Sequence, residues 1–490
     1  MAGIPSIANI NRFNESISSS SLGLSLDLQF AADKTLTARK GPTPVLTRAN
    51  ATATFVGSDG LIQSAAVNQP RFDHDPVTRV CKGLLIEESR TNQSLRSEAI
   101  VDNIGWSLVN TTSVVSGTSP NGNSSYQISE TTTSANHLLV NTGGNTVTAA
   151  TSVVSGASYT GSIFVKKVVG SVDWVQLTFS FTGFGTSQFA NFNISNGTVG
   201  NYSGLTSGTV PRIEEFPNGW YRCSITAAAT GTAGTTITTS NIILSFINNN
   251  NIATRFVSYP GSTSNSVLAS LCQFEAGLFP TSYIPTTTTT QPRGADVCSI
   301  IGSDFTGFYN ASEGSLACNY SIPAGFTGNR YAASIEDTVG GTQNGFIFRN
   351  TNNATAFIAG AGYASTIGAT TATASKHILA YTGSTQFVYV KDSVVGTTTG
   401  SGTRDPSLPI RMSIGTLEGA STFSLCGHIQ SIRYYKKCLP NAKLQSFTSR
   451  GFDTDANAYI SAVAAAGATV TTAQQTAINE FVVAEKEASR

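Results

Sequence analysis

The sequence predicts an all-β protein: an N-terminal extended arm and short-strand module, two tandem β-sandwich (jelly-roll) domains and a short C-terminal helical hairpin. Three observations lead there. Apolar residues recur with period two in several segments, which puts one face of each segment in a core. Gly, Ser and Asn cluster between those segments and supply turns. Charged residues make up only 12% of the 490 and the net charge is +1. The length suggests about three domains of about 150 residues each, all large enough to bury a core.

The same balance narrows the function classes. A neutral chain lacks the basic excess on which nucleic-acid binding leans. No apolar run approaches the roughly 18 residues of a transmembrane helix. The N-terminus, MAGIPSIANINRF, has no basic region followed by an apolar stretch, so no signal peptide is expected and synthesis in a cytoplasm is. The 7 cysteines (Cys81, Cys223, Cys272, Cys298, Cys318, Cys426 and Cys438) form no C-x-x-C pair. Their odd number and wide spacing argue against a disulfide framework or a zinc site and for reduced, mostly buried thiols.

Along the chain, Leu22, Leu24, Leu26, Leu28 and Phe30 alternate with Gly23, Ser25, Asp27 and Gln29, a strand with one apolar face. A lone strand cannot offset its own ordering entropy, so that face is expected against the next module, a partner chain or another protein. Residues 46–95 read as short strands between turns, such as Gly57-Ser58-Asp59-Gly60 and Asn68-Gln69-Pro70. From about 96 to 285 the alternation is clean. Val175, Leu177, Phe179 and Phe181 share one face, and so do Tyr221, Cys223 and Ile225, with Trp220, Arg222 and Ser224 opposite. Such regular strands argue for a sandwich. The run from Thr286 through Gly294 reads as an extended linker. A second β domain follows to about 448, with Leu316, Cys318 and Tyr320 on one face and a turn at Lys391-Asp392-Ser393. Residues 455–466 and 471–490 read as helices. Thr471 and Gln474 form a capping box, and Ala473, Ala477, Ile478, Phe481 and Val482 share a face.

Several pieces resemble known families. T-R-A-x-A-T at Thr47–Thr52, D-G-L-I at Asp59–Ile62, P-R-F-D-H-D-P at Pro70–Pro76 and G-L-L-I-E-E-x-R-T-N at Gly83–Asn92 resemble a module of bacteriophage head-spike, head-fibre and tail-fibre proteins. Y-T-G-S-I-F-V-K at Tyr159–Lys166, G-W-Y-R at Gly219–Arg222 and Q-F-E-A-G at Gln273–Gly277 resemble jelly-roll carbohydrate-binding modules. T-S-Y-I-P-T at Thr281–Thr286 is similar to their ending in phage fibres. G-H-I-Q-S-I-R-Y-Y-K-K-C-L-P at Gly427–Pro440 resembles the last strand of laminin-G or concanavalin-A-like lectin sandwiches, which leads to a Leu and then a helix. The ending Ala477–Arg490 resembles part of a helical hairpin that can lead into another domain, so the chain is read as a short form or as the N-terminal part of a longer fibre.

Candidate chemistry is sparse. Asp73-His74-Asp75 could offer metal ligands, but successive strand residues point to opposite faces, and turn or interface hydrogen bonding is the simpler reading. Glu87 and Glu88 could be a carboxylate pair. Glycosidases, however, set two carboxyls about 5–10 Å apart across a cleft, so an ion pair with Arg90 or another chain is expected instead. His137, His377 and His428 have no nucleophile elbow near them, and no regular repeat points to a β-helix depolymerase. No catalytic residue, metal or cofactor is expected. Aromatic rings are the plausible sugar-stacking tools: Trp174 at the head of a strand, with Trp106 and Trp220 as alternatives and a core role competing for each.

The resemblances then imply a non-enzymatic virion appendage, assembled in the host cytoplasm and displayed on the particle surface. Residues 1–95 would be the arm and anchoring module, with Arg48, Phe72, Asp73, His74, Asp75, Glu87, Glu88 and Arg90 as anchoring residues. Residues 96–290 and 291–450 would be the two sandwiches, and 451–490 the helical segment. Expected partners are other virion proteins, a host-surface glycan and two further copies in a trimer. A purely structural capsid decoration, or a polysaccharide-cleaving spike, is the alternative.

Overall fold

The computed structural model describes residues 22–448, apart from 145–147, 149, 324–328, 337–342, 351–352, 359–362, 370–373, 384–385, 392–393, 396, 400–409 and 418–423. The predicted helices after residue 451 and the turn at Asp392-Ser393 lie outside the described residues. Within them the protein is all-β, with mainly antiparallel sheets and only short helices such as Asn441–Thr448. The described residues form two compact units. The first takes residues from 1–47, 82–86 and 297–490, and the second from 48–81 and 87–296.

The N-terminal strand is therefore no separate arm. Leu24–Leu28 pairs antiparallel with Gly427–Tyr435 in the first unit, in a register that sets Leu26 opposite Tyr434 and Leu28 opposite Ile432. Its period-two pattern is realised: Leu24, Leu26 and Leu28 are buried and Ser25 and Asp27 are half-buried. The apolar face that the sequence left for a neighbour is covered by its own chain. Residues Leu84 to Ile86 flank the other half of the same strand, at Ile429 to Gly427. The sheet continues through Glu313–Ser321, Ala374–Thr382 and Gln386–Lys391. The second sheet of this sandwich starts from Val45–Thr47 and passes through Val297–Ile301, Arg411–Ile414 and Asn329–Glu336. After the last strand, Leu439 is buried and the Asn441–Thr448 helix sets Leu444 beside it and Leu24.

The second unit is a jelly-roll-like sandwich. One sheet orders Thr111–Thr118, Ser124–Glu130, Ser266–Ala276, Ser158–Lys167, Trp220–Ala228 and Arg212–Phe216. The other orders Thr198–Ser203, Phe189–Asn193, Trp174–Phe179, Ile242–Phe246, Leu138–Asn141, Gly105–Val109 and Val101–Asp102. Val175, Leu177, Phe179, Cys223, Ile225 and Phe274 meet between them. Gly161 faces the Phe179 ring, where a Cβ would come within 2.5 Å of it. The alternation stops one step earlier than the sequence suggests: Phe181 is 65% exposed at the start of a short helix, because the strand ends at Phe179.

Part of the outer face of the six-stranded sheet is apolar too. Phe164, Trp220 and Leu271 form a second cluster there with Ile62, Phe216 and Tyr283. The Ala53–Val56 and Ile62–Ala65 hairpin supplies Ile62, and the left-handed Gly60 (φ +81°) closes its turn. The run after Thr286 is not a free linker. Gln291–Arg293 pairs with Arg90–Asn92, and both Thr286 and Arg293 are buried.

Candidate functional site

The pieces that resemble phage modules converge inside the second unit. Arg71 donates from Nη1 to Glu87 Oε2 at 2.7 Å and from Nη2 to Asp296 Oδ2 at 2.5 Å. Arg48 reaches Asp296 Oδ1 at 2.9 Å, and Arg293 reaches Glu87 Oε2 at 3.1 Å. Ser282 gives Glu87 both its backbone N–H and its hydroxyl. All five charged side chains are buried. Burial alone would raise the Glu87 pKa, but Arg293, Arg71 and Ser282 outweigh it and hold the carboxyl well below the usual range. Burial would likewise lower the Arg71 pKa, yet Asp296 and Glu87 hold its guanidinium more firmly protonated than a free one.

Arg48 and Glu87 are thus interior framework and not anchoring contacts, which corrects the sequence reading. The remaining members of that set are also used internally. Asp73 Oδ1 accepts the Val56 N–H at 2.6 Å, His74 Nδ1 lies 3.1 Å from the Val56 carbonyl, and Asp75 Oδ1 accepts the Val77 and Thr78 N–H groups in a turn. Phe72 is half-buried on the same short strand. Glu88 pairs with Arg90, whose guanidinium occupies the space a Cβ at Gly277 would need. Among the described residues no group of three or more His, Cys, Asp or Glu is placed to hold a metal.

The three tryptophans separate by burial. Trp106 is fully buried and donates from Nε1 to the Arg96 carbonyl at 3.1 Å. Trp220 is buried and donates to the Thr118 carbonyl at 3.1 Å. Neither presents a ring face to a ligand, which corrects their listing among sugar-stacking candidates. Trp174 is half-buried, with its ring against Gly200. Beyond it, the polar row on that face of the sheet is already saturated. Gln176 bonds the Thr254 carbonyl and the Phe256 N–H, Thr178 receives Arg255 Nε, and Asn191 bonds the Ile252 carbonyl.

An open cleft of about 620 Å³ lies elsewhere in the second unit. Its lining includes Gln63, Arg96, Glu98, Asn121, Asn123 and Tyr283. Glu98 is its organising centre. Oε1 accepts from Asn121 Nδ2 at 2.9 Å and from the Tyr283 hydroxyl at 3.1 Å, and Oε2 accepts from Asn123 Nδ2 at 2.8 Å. Burial, together with the Glu98 charge, raises the Tyr283 pKa well above its ordinary value, so the hydroxyl stays a donor. Asn121 is fixed in turn by the Ser119 hydroxyl at 2.5 Å. The hairpin carrying Gln63, the loop after Asn92, the Ser119–Asn123 turn and the T-S-Y-I-P-T segment thus meet at one opening. Sequence reasoning missed this set because none of its residues forms a local motif. Tyr283 lay inside a recognised phrase, and that was the only signal.

No protein-family model matches the chain, and no curated protein matches it. Among solved structures, the chain is similar to the CBM40 of a Ruminococcus gnavus IT-sialidase, with 11% identity over 29% of this chain and 84% of that one, at a TM-score of 0.25. It is also similar to a Trypanosoma rangeli sialidase, with 10% identity over 67% of this chain and a TM-score of 0.28. There it spans 61% of the sialidase's length. Domains LG4-5 of the mouse laminin alpha1 chain are similar at 10% identity, with 70% of this chain and 96% of that one covered and a TM-score of 0.20.

Proposed function

We propose that this chain is a non-enzymatic, glycan-binding appendage of a bacteriophage particle. The observation that carries the binding half is the open cleft, where Asn121, Asn123 and Tyr283 are bonded to Glu98 and Arg96 forms part of the lining. Side-chain amides and a guanidinium read sugar hydroxyls by hydrogen bonds, and fixing them in advance spares ordering entropy on binding. The Glu98 carboxylate is bonded on both oxygens, which suits it to orient the amides and not to transfer protons. The virion half rests on the resemblance of the Thr47–Asn92 segment to phage appendage modules. Weak sites of this kind gain avidity when several copies stand on one particle.

The test is binding of fluorescently labelled protein to a panel of bacterial strains, with the exposed cleft residues Gln63 and Asn123 replaced by Ala in a paired variant. The expected result is labelling of a subset of strains by the native chain and its loss in the variant. Equal labelling by both would move the ligand away from the cleft. No labelling of any strain would leave a structural decoration protein in its place.

A further inference from the structure

We infer that the cleft selects a carboxylate-bearing sugar, a uronic-acid residue, and that Arg96 is the residue that reads the carboxylate. The inference rests on the glycan-binding reading above and deepens it.

Three observations carry it. The first is an imbalance of hydrogen bonding within the cleft. Each oxygen of the Glu98 carboxylate is already engaged by a neighbouring amide or hydroxyl. Arg96 lines the same cleft and is only half-buried; its Nε–H, closed off from solvent, has no acceptor among the described residues, which leaves the terminal nitrogens of the guanidinium to meet a ligand. A guanidinium carries five N–H donors and no acceptor, so what the cleft lacks is an acceptor, best an anionic one.

The second is backbone conformation. Arg96 sits at φ +50°, in the left-handed region that a residue with a long side chain seldom occupies. It is held there from both sides. Its N–H donates to the Thr287 carbonyl at 2.7 Å, and its own carbonyl accepts from the Ala99 N–H and the Trp106 indole, each at 3.1 Å. Strain of this kind persists only where the surroundings over-determine it, and it clusters at ligand sites.

The third is fit. The Arg96 stem packs beside Gly105, where a Cβ would lie 3.3 Å from Arg96 Cδ. With its stem and backbone fixed, the planar fork is pre-organised for a carboxylate, which it matches with two parallel hydrogen bonds. The Asn121, Asn123 and Gln63 side chains would then take the ring hydroxyls.

The experiment measures affinities of the full chain, by calorimetry, for an oligosaccharide containing glucuronic acid and for the same oligosaccharide with its carboxyl groups reduced to alcohols. The variant is Arg96→Asn, because Asn tolerates the left-handed conformation. Tryptophan emission reports the local fold, since Trp106 is bonded to the Arg96 carbonyl. The native chain is expected to prefer the acidic form by about tenfold or more, a difference typical of a charge-assisted bidentate pair. Arg96→Asn is expected to abolish that preference, so that the acidic form loses about tenfold more affinity than the reduced form does. Arg96→Lys, which keeps the charge without the fork, should fall between the two.

Equal affinity of the native chain for both forms would overturn the inference and leave the glycan reading standing. So would a preference retained by Arg96→Asn with native emission, or by Arg96→Lys at full strength where the Asn variant fails to fold. Failure to bind either form, together with every neutral glycan tested, would overturn both.

Discussion

Arg71 and Asp296, separated by 225 positions, meet through a 2.5 Å hydrogen bond from Nη2 to Oδ2 with both side chains out of contact with solvent. Arg71 uses its other terminal nitrogen for Glu87, Ser282 and the Thr54 carbonyl. One guanidinium thus ties the first hairpin of the second unit to the segment that ends it. This gives a physical reason for the spaced R, E and T-S-Y pieces of the sequence: they are the charged and hydroxyl members of one interior lattice.

Removing Arg71 should be costly. Arg71→Met would leave Glu87 and Asp296 buried with part of their compensation gone, and breaking a buried pair from one side costs about 3–5 kcal/mol. Urea denaturation followed by tryptophan fluorescence should show the midpoint falling accordingly. A loss under about 1 kcal/mol, the scale of exposed ion pairs, would mean the lattice is hydrated and not the tie described above.

Acid should weaken the second unit through Glu87. Its folded-state pKa is depressed, chiefly by Arg293 and Arg71 acting against burial. The stability it contributes is therefore complete above the unfolded value of about 4.3. That stability is lost as pH falls below this value toward the lower folded pKa, because the unfolded chain takes up the proton first. Glu87→Gln should lower the midpoint at neutral pH and flatten the decline between about pH 5 and pH 2. Parallel curves for the two proteins would assign the acid sensitivity to other carboxylates.

The cysteines should separate by burial. Cys223, Cys272, Cys298, Cys318 and Cys426 are buried and unbridged, while Cys81 and Cys438 are half-buried. Burial pushes the Cys272 thiol up to about 12, and since the thiolate is the nucleophile, its reactivity at pH 8 should drop by about three orders of magnitude. Iodoacetamide labelling of the native protein followed by peptide mass mapping should find Cys81 first and Cys272 only after denaturation. Early labelling at Cys272 would show that the sandwich core opens under native conditions.

What was legible in the sequence was local. Leu24, Leu26 and Leu28 announced their buried face, as did Val175, Leu177 and Phe179, because strand periodicity is written in consecutive residues. Strand partners were not legible. The mate of Leu24–Leu28 lies some 400 positions away, and nothing in either strand names the other. The cleft was hidden for the same reason, since Gln63, Arg96, Asn121 and Tyr283 are brought together by pairing alone. The tryptophans misled because one residue type serves both cores and sugar platforms. Only the surroundings, such as the Thr118 carbonyl that receives the Trp220 indole, tell the two apart.

The clearest consequence of non-local pairing concerns the first 47 residues. Leu24–Leu28 completes one sheet of the first unit and Val45–Thr47 stands at the edge of the other. Deleting residues 1–47 should therefore damage a sandwich and not merely detach an anchor. The strand Gly427–Tyr435 would lose one of its two neighbours along Ile432 to Tyr435 and expose apolar side chains such as Tyr435. An unpaired, apolar strand edge recruits other chains. The truncated protein should bind anilinonaphthalene sulfonate, aggregate with time and be cleaved early by trypsin between residues 297 and 448, while the 96–287 region stays protected. Leu26→Ala, which trims a fully buried side chain, should weaken the same region by about 2–5 kcal/mol. If the truncated chain keeps native protease resistance across residues 297–448, the N-terminal segment is an appended arm after all and the pairing with Gly427–Tyr435 contributes little.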